Sequence, residues 1–180
     1  MKKNLFKELL LNSKHNNILL SIYTDKDDTD KFLVGYVCEF DNDFILIKKI
    51  TPNGVFDGFS SLLIGDVYSI EYNDSYINKI QHNIKGDIIN LRKDVEILLE
   101  SNFRFDDIIR LSMDMHYCLS INSIFDRTFI GYIKDFDGEN IIVSNIDEYN
   151  KSDGFSLFKI SEIERISLFD VELNMINNLY

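Results

Sequence analysis

Residues 35–80 read GYVCEFDNDFILIKKITPNGVFDGFSSLLIGDVYSIEYNDSYINKI, and residues 131–176 read GYIKDFDGENIIVSNIDEYNKSDGFSLFKISEIERISLFDVELNMI. They are one stretch written twice, at a constant offset and without a gap. Gly35-Tyr36 returns as Gly131-Tyr132, and Phe40-Asp41 as Phe136-Asp137. Asp57-Gly58-Phe59-Ser60 returns as Asp153-Gly154-Phe155-Ser156. Ile45, Ile50, Ile64, Ile70, Asp74, Asn78 and Ile80 find Ile141, Ile146, Ile160, Ile166, Asp170, Asn174 and Ile176. Agreement over a whole domain's length is the signature of a structural repeat, in which each copy is one supersecondary unit. Such a repeat speaks clearly about architecture and leaves function open.

Upstream of the first copy, Leu5, Phe6, Leu9 and Leu10 fall on one stripe of a short amphipathic helix. That helix is expected to run out in the polar residues 12–17, whose side chains compete for backbone hydrogen bonds. Alternation at Ile18, Leu20 and Ile22 predicts a first strand, and residues 25–31 a charged loop. Residues 32–40 and 44–50 read as two apolar-rich strands joined at Asp41-Asn42-Asp43. After the turn sequence Thr51-Pro52-Asn53-Gly54, residues 59–64 and 67–72 read as two further strands around Gly65-Asp66. Asp74 can cap a closing helix that carries Tyr76, Ile77 and Ile80.

The second copy repeats this order, with residues 105–113 as its helix and Leu111-Ser112 in line with Asn12-Ser13. Leu119-Ser120-Ile121 matches Leu20-Ser21-Ile22, and the loop at 122–127 is shorter than its counterpart. Between the copies, Asp87 can cap a connector helix on which Ile88, Leu91, Val95, Leu98 and Leu99 follow helical spacing. A helix of that length is marginal in water and is expected to pack on one or both copies. The expected division is a first repeat at 1–82, a helical connector at 83–103 and a second repeat at 104–180.

The formal charge of −11 keeps the chain soluble and repels phosphate backbones. Inside the domains the adjacent basic pairs are only Lys48-Lys49 and Arg92-Lys93, and no run resembles a nucleic-acid footprint. Cys38 and Cys118 occupy non-equivalent repeat positions and form no CxxC, which favours free thiols in a reducing compartment. Lys7 and Glu8 interrupt the first apolar run, so no signal peptide is read there, and no apolar stretch approaches the length of a membrane span. A cytoplasmic protein is the expectation.

A helix followed by five short strands, with a long bent second and third strand, suits a small and strongly curved barrel. Gly35, followed after four residues by Phe40-Asp41 and then by Ile45-Leu46-Ile47, resembles the first motif of the Sm-like family. Gly131 and Phe136-Asp137 fit the same pattern. The family's second motif corresponds best to Leu63-Ile64-Gly65, and in the second copy to Lys159-Ile160-Ser161. PRC-type barrels share much of this pattern. The resemblance implies a mainly β fold with helices: two tandem five-stranded Sm-like barrels, each preceded by a short helix and joined by the connector. It further implies that the glycine lets the second strand bend and that the aspartate closes the turn into the third. Family members that bind uridine-rich RNA use an asparagine after that aspartate and an arginine in the second motif. Here those positions are Ile45 and Ile64, and Ile141 and Ile160. Isoleucine offers no donor to a base or phosphate.

The most tempting site residues are Asp57, Gly58 and Phe59 with their equivalents Asp153, Gly154 and Phe155. As two equivalent acidic loops they could bind a peptide or a cation. As structure, the glycine allows a bulge, the aspartate bonds its own backbone and the phenylalanine enters the core. Asp25, Asp27, Asp28 and Asp30 lack the central glycine and terminal glutamate of a calcium loop. His15, His82 and His116 are not at metal-ligand spacing with the cysteines, and no nucleophile elbow, phosphate loop or HExxH occurs. No cofactor and no catalytic activity are therefore expected.

What remains is a non-catalytic protein-interaction or scaffold module, pairing strands with itself or with another protein. One alternative is RNA binding through an unusual surface, with Tyr36 and Tyr132 stacking on bases. Another is an acidic inhibitor that mimics nucleic acid before a basic nuclease or toxin. Neither DNA nor a membrane is an expected partner.

Overall fold

The structure, a computed structural model, describes residues 4–28, 30–84, 99–170 and Leu173. The first helix begins where Asn4 accepts the amide of Lys7 and ends where Asn17 turns left-handed, at a φ of 51°. This helix, α1 (Leu5–Asn16), runs out within the polar stretch 12–17, as expected, with Asn17 as its C-cap. Within that stretch, Ser13 faces the interior. It is fully buried, donates its hydroxyl to the carbonyl of Ile18 at 2.7 Å and accepts the amide of Val37 at 3.1 Å. One polar side chain inside the helix thus ties both neighbouring segments to it.

The strands of the first copy are β1 (Leu20–Tyr23), β2 (Leu33–Phe40), β3 (Phe44–Ile50), β4 (Phe56–Leu63) and β5 (Ser69–Tyr72), followed by α2 (Ser75–Asn83). In the second copy, a helix that we label α3 (Phe105–Met115) precedes β6 (Leu119–Ser123), β7 (Thr128–Phe136), β8 (Asn140–Ile146), β9 (Ser152–Lys159) and β10 (Ile163–Leu168). The turns into β3 and β8 are closed by aspartates. Asp41 accepts the amides of Asp43 and Phe44 at 2.8 Å each, and Asp137 those of Glu139 and Asn140 at 2.9 and 2.7 Å. At Gly35 and Gly131 a side chain would overlap the carbonyl oxygens of Lys48 and Ser144 on the adjoining strand. Close approach between the bent strands therefore demands glycine at both positions.

The strand β4 starts earlier than the sequence pattern suggested. Gly58 has a φ of +77°, and its irregularity is absorbed as a register shift between Lys48 and Ile50 on β3. The same device recurs at Gly154, also at +77°, with a shift between Ser144 and Ile146. A single-turn 3₁₀ helix, Ile64–Asp66 or Ile160–Glu162, follows the fourth strand of each copy.

Two separate five-stranded barrels are not what these elements build. All ten described strands form one antiparallel sheet in the order β5-β1-β2-β3-β4-β10-β6-β7-β8-β9. The 3₁₀ turn swings the chain away from strand four, so the fifth strand pairs with the first of its own copy and never with the fourth. The outer edge of strand four is thus left for another partner. In the first copy that partner is β10, the fifth strand of the second copy.

The cores follow the same plan. One cluster, around Leu10, Leu20, Ile22, Ile45 and Ile47, lies wholly in the first copy. The largest spans both, joining Leu46, Phe56 and Phe59 of the first to Phe105, Ile108, Ile166 and Leu168 of the second. The expected cap at Asp87 and the connector positions Ile88, Leu91, Val95 and Leu98 lie outside the described residues. Residues 99–101 are helical, and Leu99 is buried in the spanning core. Of the second copy's closing helix only Leu173 is described, as deeply buried as its equivalent Ile77.

Candidate functional site

The repeated tetrapeptide leads to the site because its two occurrences share a backbone and differ in surroundings. In the first copy, Asp57-Gly58-Phe59-Ser60 lies on the junction between the halves. Phe59 stands opposite Leu168, Ser60 opposite Ser167, Ser61 opposite Ile166 and Leu62 opposite Arg165. Phe59 is 3% exposed, and the hydroxyls of Ser60 and Ser167 share a buried hydrogen bond of 2.7 Å. A side chain on Gly58 would overlap the backbone of Leu168, Phe169 and Asp170. Beside this contact, the Lys49 ammonium lies 3.6 Å from Asp57 and 3.5 Å from Asp170. The junction is completed by α3, whose Phe105 meets Phe44 edge-on at 5.0 Å, while Arg104 reaches Asp41 at 2.6 Å.

In the second copy, Asp153-Gly154-Phe155-Ser156 lies on β9, the last strand of the sheet. No described strand pairs with its outer edge. Asp153 and Gly154 are exposed, and no heavy atom of the described residues lies within 4 Å of a side chain placed on Gly154. Phe155 is 61% exposed and Leu157 69%. These two share a face, since side chains two apart on a strand point the same way. The Lys134 ammonium lies over the Phe155 ring at 4.1 Å. The predicted residues are therefore not brought together: one trio is sealed inside the molecule, and the other is displayed at its rim.

Two residues that matter here were not singled out by the sequence. Leu157 replaces the buried Ser61 of the first copy, and Asn145 replaces Lys49. Aligning the copies and asking where a polar residue becomes apolar would have found the first.

The opposite rim is β5. Tyr72 is 48% exposed there, and Tyr23 donates its hydroxyl to Glu71 at 2.9 Å. Burial, with the Glu71 carboxylate beside it, pushes the Tyr23 phenol up to about 12. Between α1 and β5 runs a groove of about 440 Å³ lined by Phe6, Leu9, Tyr68, Ile70 and Tyr72.

Other candidates present themselves less openly. Ile45 and Ile141, where RNA-binding relatives of the resembled family have asparagine, are fully buried. Tyr36 packs against a core cluster, and Tyr132 stacks on His116 at 4.6 Å. Neither ring is an open platform for a base. The Asp25 carboxylate accepts the amides of Asp27 and Asp28 and lies 3.7 Å from Lys31. These bonds to Asp27 and Asp28 hold it below the usual carboxylate range. A groove of about 400 Å³ beside it sets Lys31 and Arg165 among the carboxylates of Asp25, Asp30, Asp126 and Glu164, so its charge is mixed with an acidic excess. Cys38 and Cys118 are buried and not joined in a disulfide, and burial pushes the Cys118 thiol up to about 12. Among the described residues, no three His, Cys, Asp or Glu side chains converge as metal ligands, and no helix is long and apolar enough to cross a membrane.

Comparison with protein-family models, with curated proteins and with solved structures finds no match to this chain.

Proposed function

We propose that this protein is a non-catalytic interaction or scaffold module of the cytoplasm, and that it docks a protein strand on the outer edge of β9. The observation that carries this reading is the apolar pair Phe155 and Leu157, 61% and 69% exposed on an eight-residue strand with no described neighbour on that edge. Folded proteins ordinarily blunt long edge strands, because unpaired amides and carbonyls template further pairing. Strand addition then draws affinity from main-chain hydrogen bonds and specificity from alternate side chains. The resemblance to the Sm-like family enters this reading only as kinship of motif, since its uridine-holding positions are isoleucines in both copies.

The reading is tested on two sides. Titrated with short uridine-rich and adenine-rich RNAs at low salt, the protein is expected not to bind. Tight binding that falls steeply with salt would overturn the proposal in favour of RNA. On the positive side, Phe155→Lys with Leu157→Lys is expected to abolish the partner contacts of the wild-type chain while its circular dichroism spectrum stays unchanged. Retention of every contact by that variant would refute a role for β9.

A further inference from the structure

The groove where the two halves bring their first hairpins together holds charges of both signs that the chain does not pair, and we infer that it binds a free α-amino acid in its zwitterionic form. Neither half builds this groove alone. The β1–β2 connection supplies Asp25, Asp30 and Lys31, the β6–β7 connection Asp126, and β10 both Glu164 and Arg165. Its volume of about 400 Å³ is that of a small-molecule site. It is independent of the docking edge, since β6, β7 and β8 lie between β10 and β9 in the sheet. The decisive strand is β10. Its register on β6 slips between Ile163 and Arg165, an irregularity that lets the consecutive Glu164 and Arg165 both reach the groove. Asn122 donates its amide to the Thr128 hydroxyl at 2.9 Å and accepts from Arg165 Nε at 3.4 Å, which orients the guanidinium and leaves its terminal nitrogens for a ligand.

Among the described residues, neither Arg165 nor Glu164 forms an ion pair, although both are half-buried. Burial pushes the Glu164 carboxyl up and the Arg165 guanidinium down, as expected of charges held without full compensation. The remaining cation is already engaged: Lys31 lies 3.7 Å from Asp25 and 3.5 Å from Asp28, and Asp126 across the junction favours its charge further. A half-buried charge without a partner is costly, and a ligand that brings the opposite charge offsets that cost. An anion alone would meet four carboxylates here, and a cation alone would meet Arg165 and Lys31. A zwitterion satisfies both signs. Its carboxylate takes the Arg165 terminal nitrogens as a bidentate pair, and its ammonium takes Glu164 and Asp126. Because Glu164 and Arg165 are consecutive, the charges that answer them must also stand close together, as they do on a single α-carbon. Phe32, held edge-on by Tyr76 at 5.6 Å, and Leu33 supply an apolar wall for the ligand's side chain.

The test titrates the full chain calorimetrically with each of the common L-amino acids. At least one is expected to saturate with a Kd below about 1 mM and to raise the melting temperature, since it binds only where the halves meet. The amide of that amino acid lacks the carboxylate and its N-acetyl derivative lacks the ammonium, so each is expected to bind about tenfold more weakly or worse. Arg165→Met and Glu164→Gln are expected to lose the binding by a similar factor. Their melting in plain buffer should be unchanged or raised, because each removes a half-buried charge while keeping much of the side chain's volume. Should the methionine variant fail to fold, the near-isosteric Glu164→Gln decides. No saturable binding of any amino acid below about 10 mM would overturn the inference. An amide or an N-acetyl derivative that binds as tightly would overturn it in favour of a cation or an anion site. Tighter binding of the corresponding dipeptide, or full binding by a folded variant, would overturn it too. None of these outcomes bears on β9.

Discussion

Phe59 and Phe155 begin from the same tetrapeptide and end at 3% and 61% exposure, so identical substitutions at the two sites should read differently. Phe59→Ala removes a ring from the spanning core and is expected to lower stability by about 3–5 kcal/mol, whereas Phe155→Ala should stay within about 0.5 kcal/mol in the monomer. Chemical denaturation of both variants at low protein concentration checks the pair. Ser13 and Ser112 give a second contrast. Ser13→Ala leaves the buried Val37 amide without its acceptor and is expected to cost about 1–3 kcal/mol. The buried Ser112 hydroxyl has no hydrogen-bond partner among the described residues, so Ser112→Ala should be neutral or stabilising. A larger loss at Ser112 than at Ser13, in the same denaturation assay, would contradict this account of the two helices.

The β2–β3 and β7–β8 turns are where charge enters the stability of whole elements. Burial alone would raise the Asp41 carboxyl, but the amides of Phe44 and Asp43 and the Arg104 guanidinium outweigh it and hold the group low. A carboxyl depressed in the folded state stabilises above its unfolded value, 3.8, and that contribution is lost as pH falls below it. Wild-type protein is therefore expected to lose stability below about pH 4, and Asp41→Asn to flatten that limb of the curve. Thermal melts between pH 3 and 6 would show it; an unchanged slope in the variant would remove Asp41 from the explanation. Asp137 is depressed chiefly by its bonds with Asn140 and acts in the same direction. Only Asp41 also anchors α3, through Arg104, so its loss should loosen the contact between the halves as well.

At the scale of the whole molecule, charge enters the internal junction at Lys49, whose repeat equivalent in the second copy is the uncharged Asn145. Lys49 stands between Asp57 and Asp170, 3.6 and 3.5 Å from their carboxylates. Without that ammonium the two carboxylates would be left side by side at the contact between the halves, which weakens it. Lys49→Met is therefore expected to lower the stability of the fold, and the loss to shrink as salt screens the two carboxylates. Chemical denaturation of that variant over a range of salt concentrations checks it; a stability equal to wild type at low salt would remove Lys49 from the account of the junction.

The repeat, the turns and most strands were legible in the chain because they are local. Asp41 and Asp137 reach amides two and three residues ahead, and alternation along a strand needs no knowledge of the rest of the fold. The end of α1 within residues 12–17 was legible, but its tie to β2 was not, since Ser13 accepts the amide of Val37, which lies on another element. The edges were the least legible of all. Main-chain amides and carbonyls make the contact of β4 with β10, and they are the same in every residue. The order of amino acids was enough to specify two equivalent units, each with a fourth and a fifth strand. It took the folded sheet to seal the first unit's fourth strand with the second unit and to leave the second unit's fourth strand open, because a chain of two copies has one internal junction and two ends.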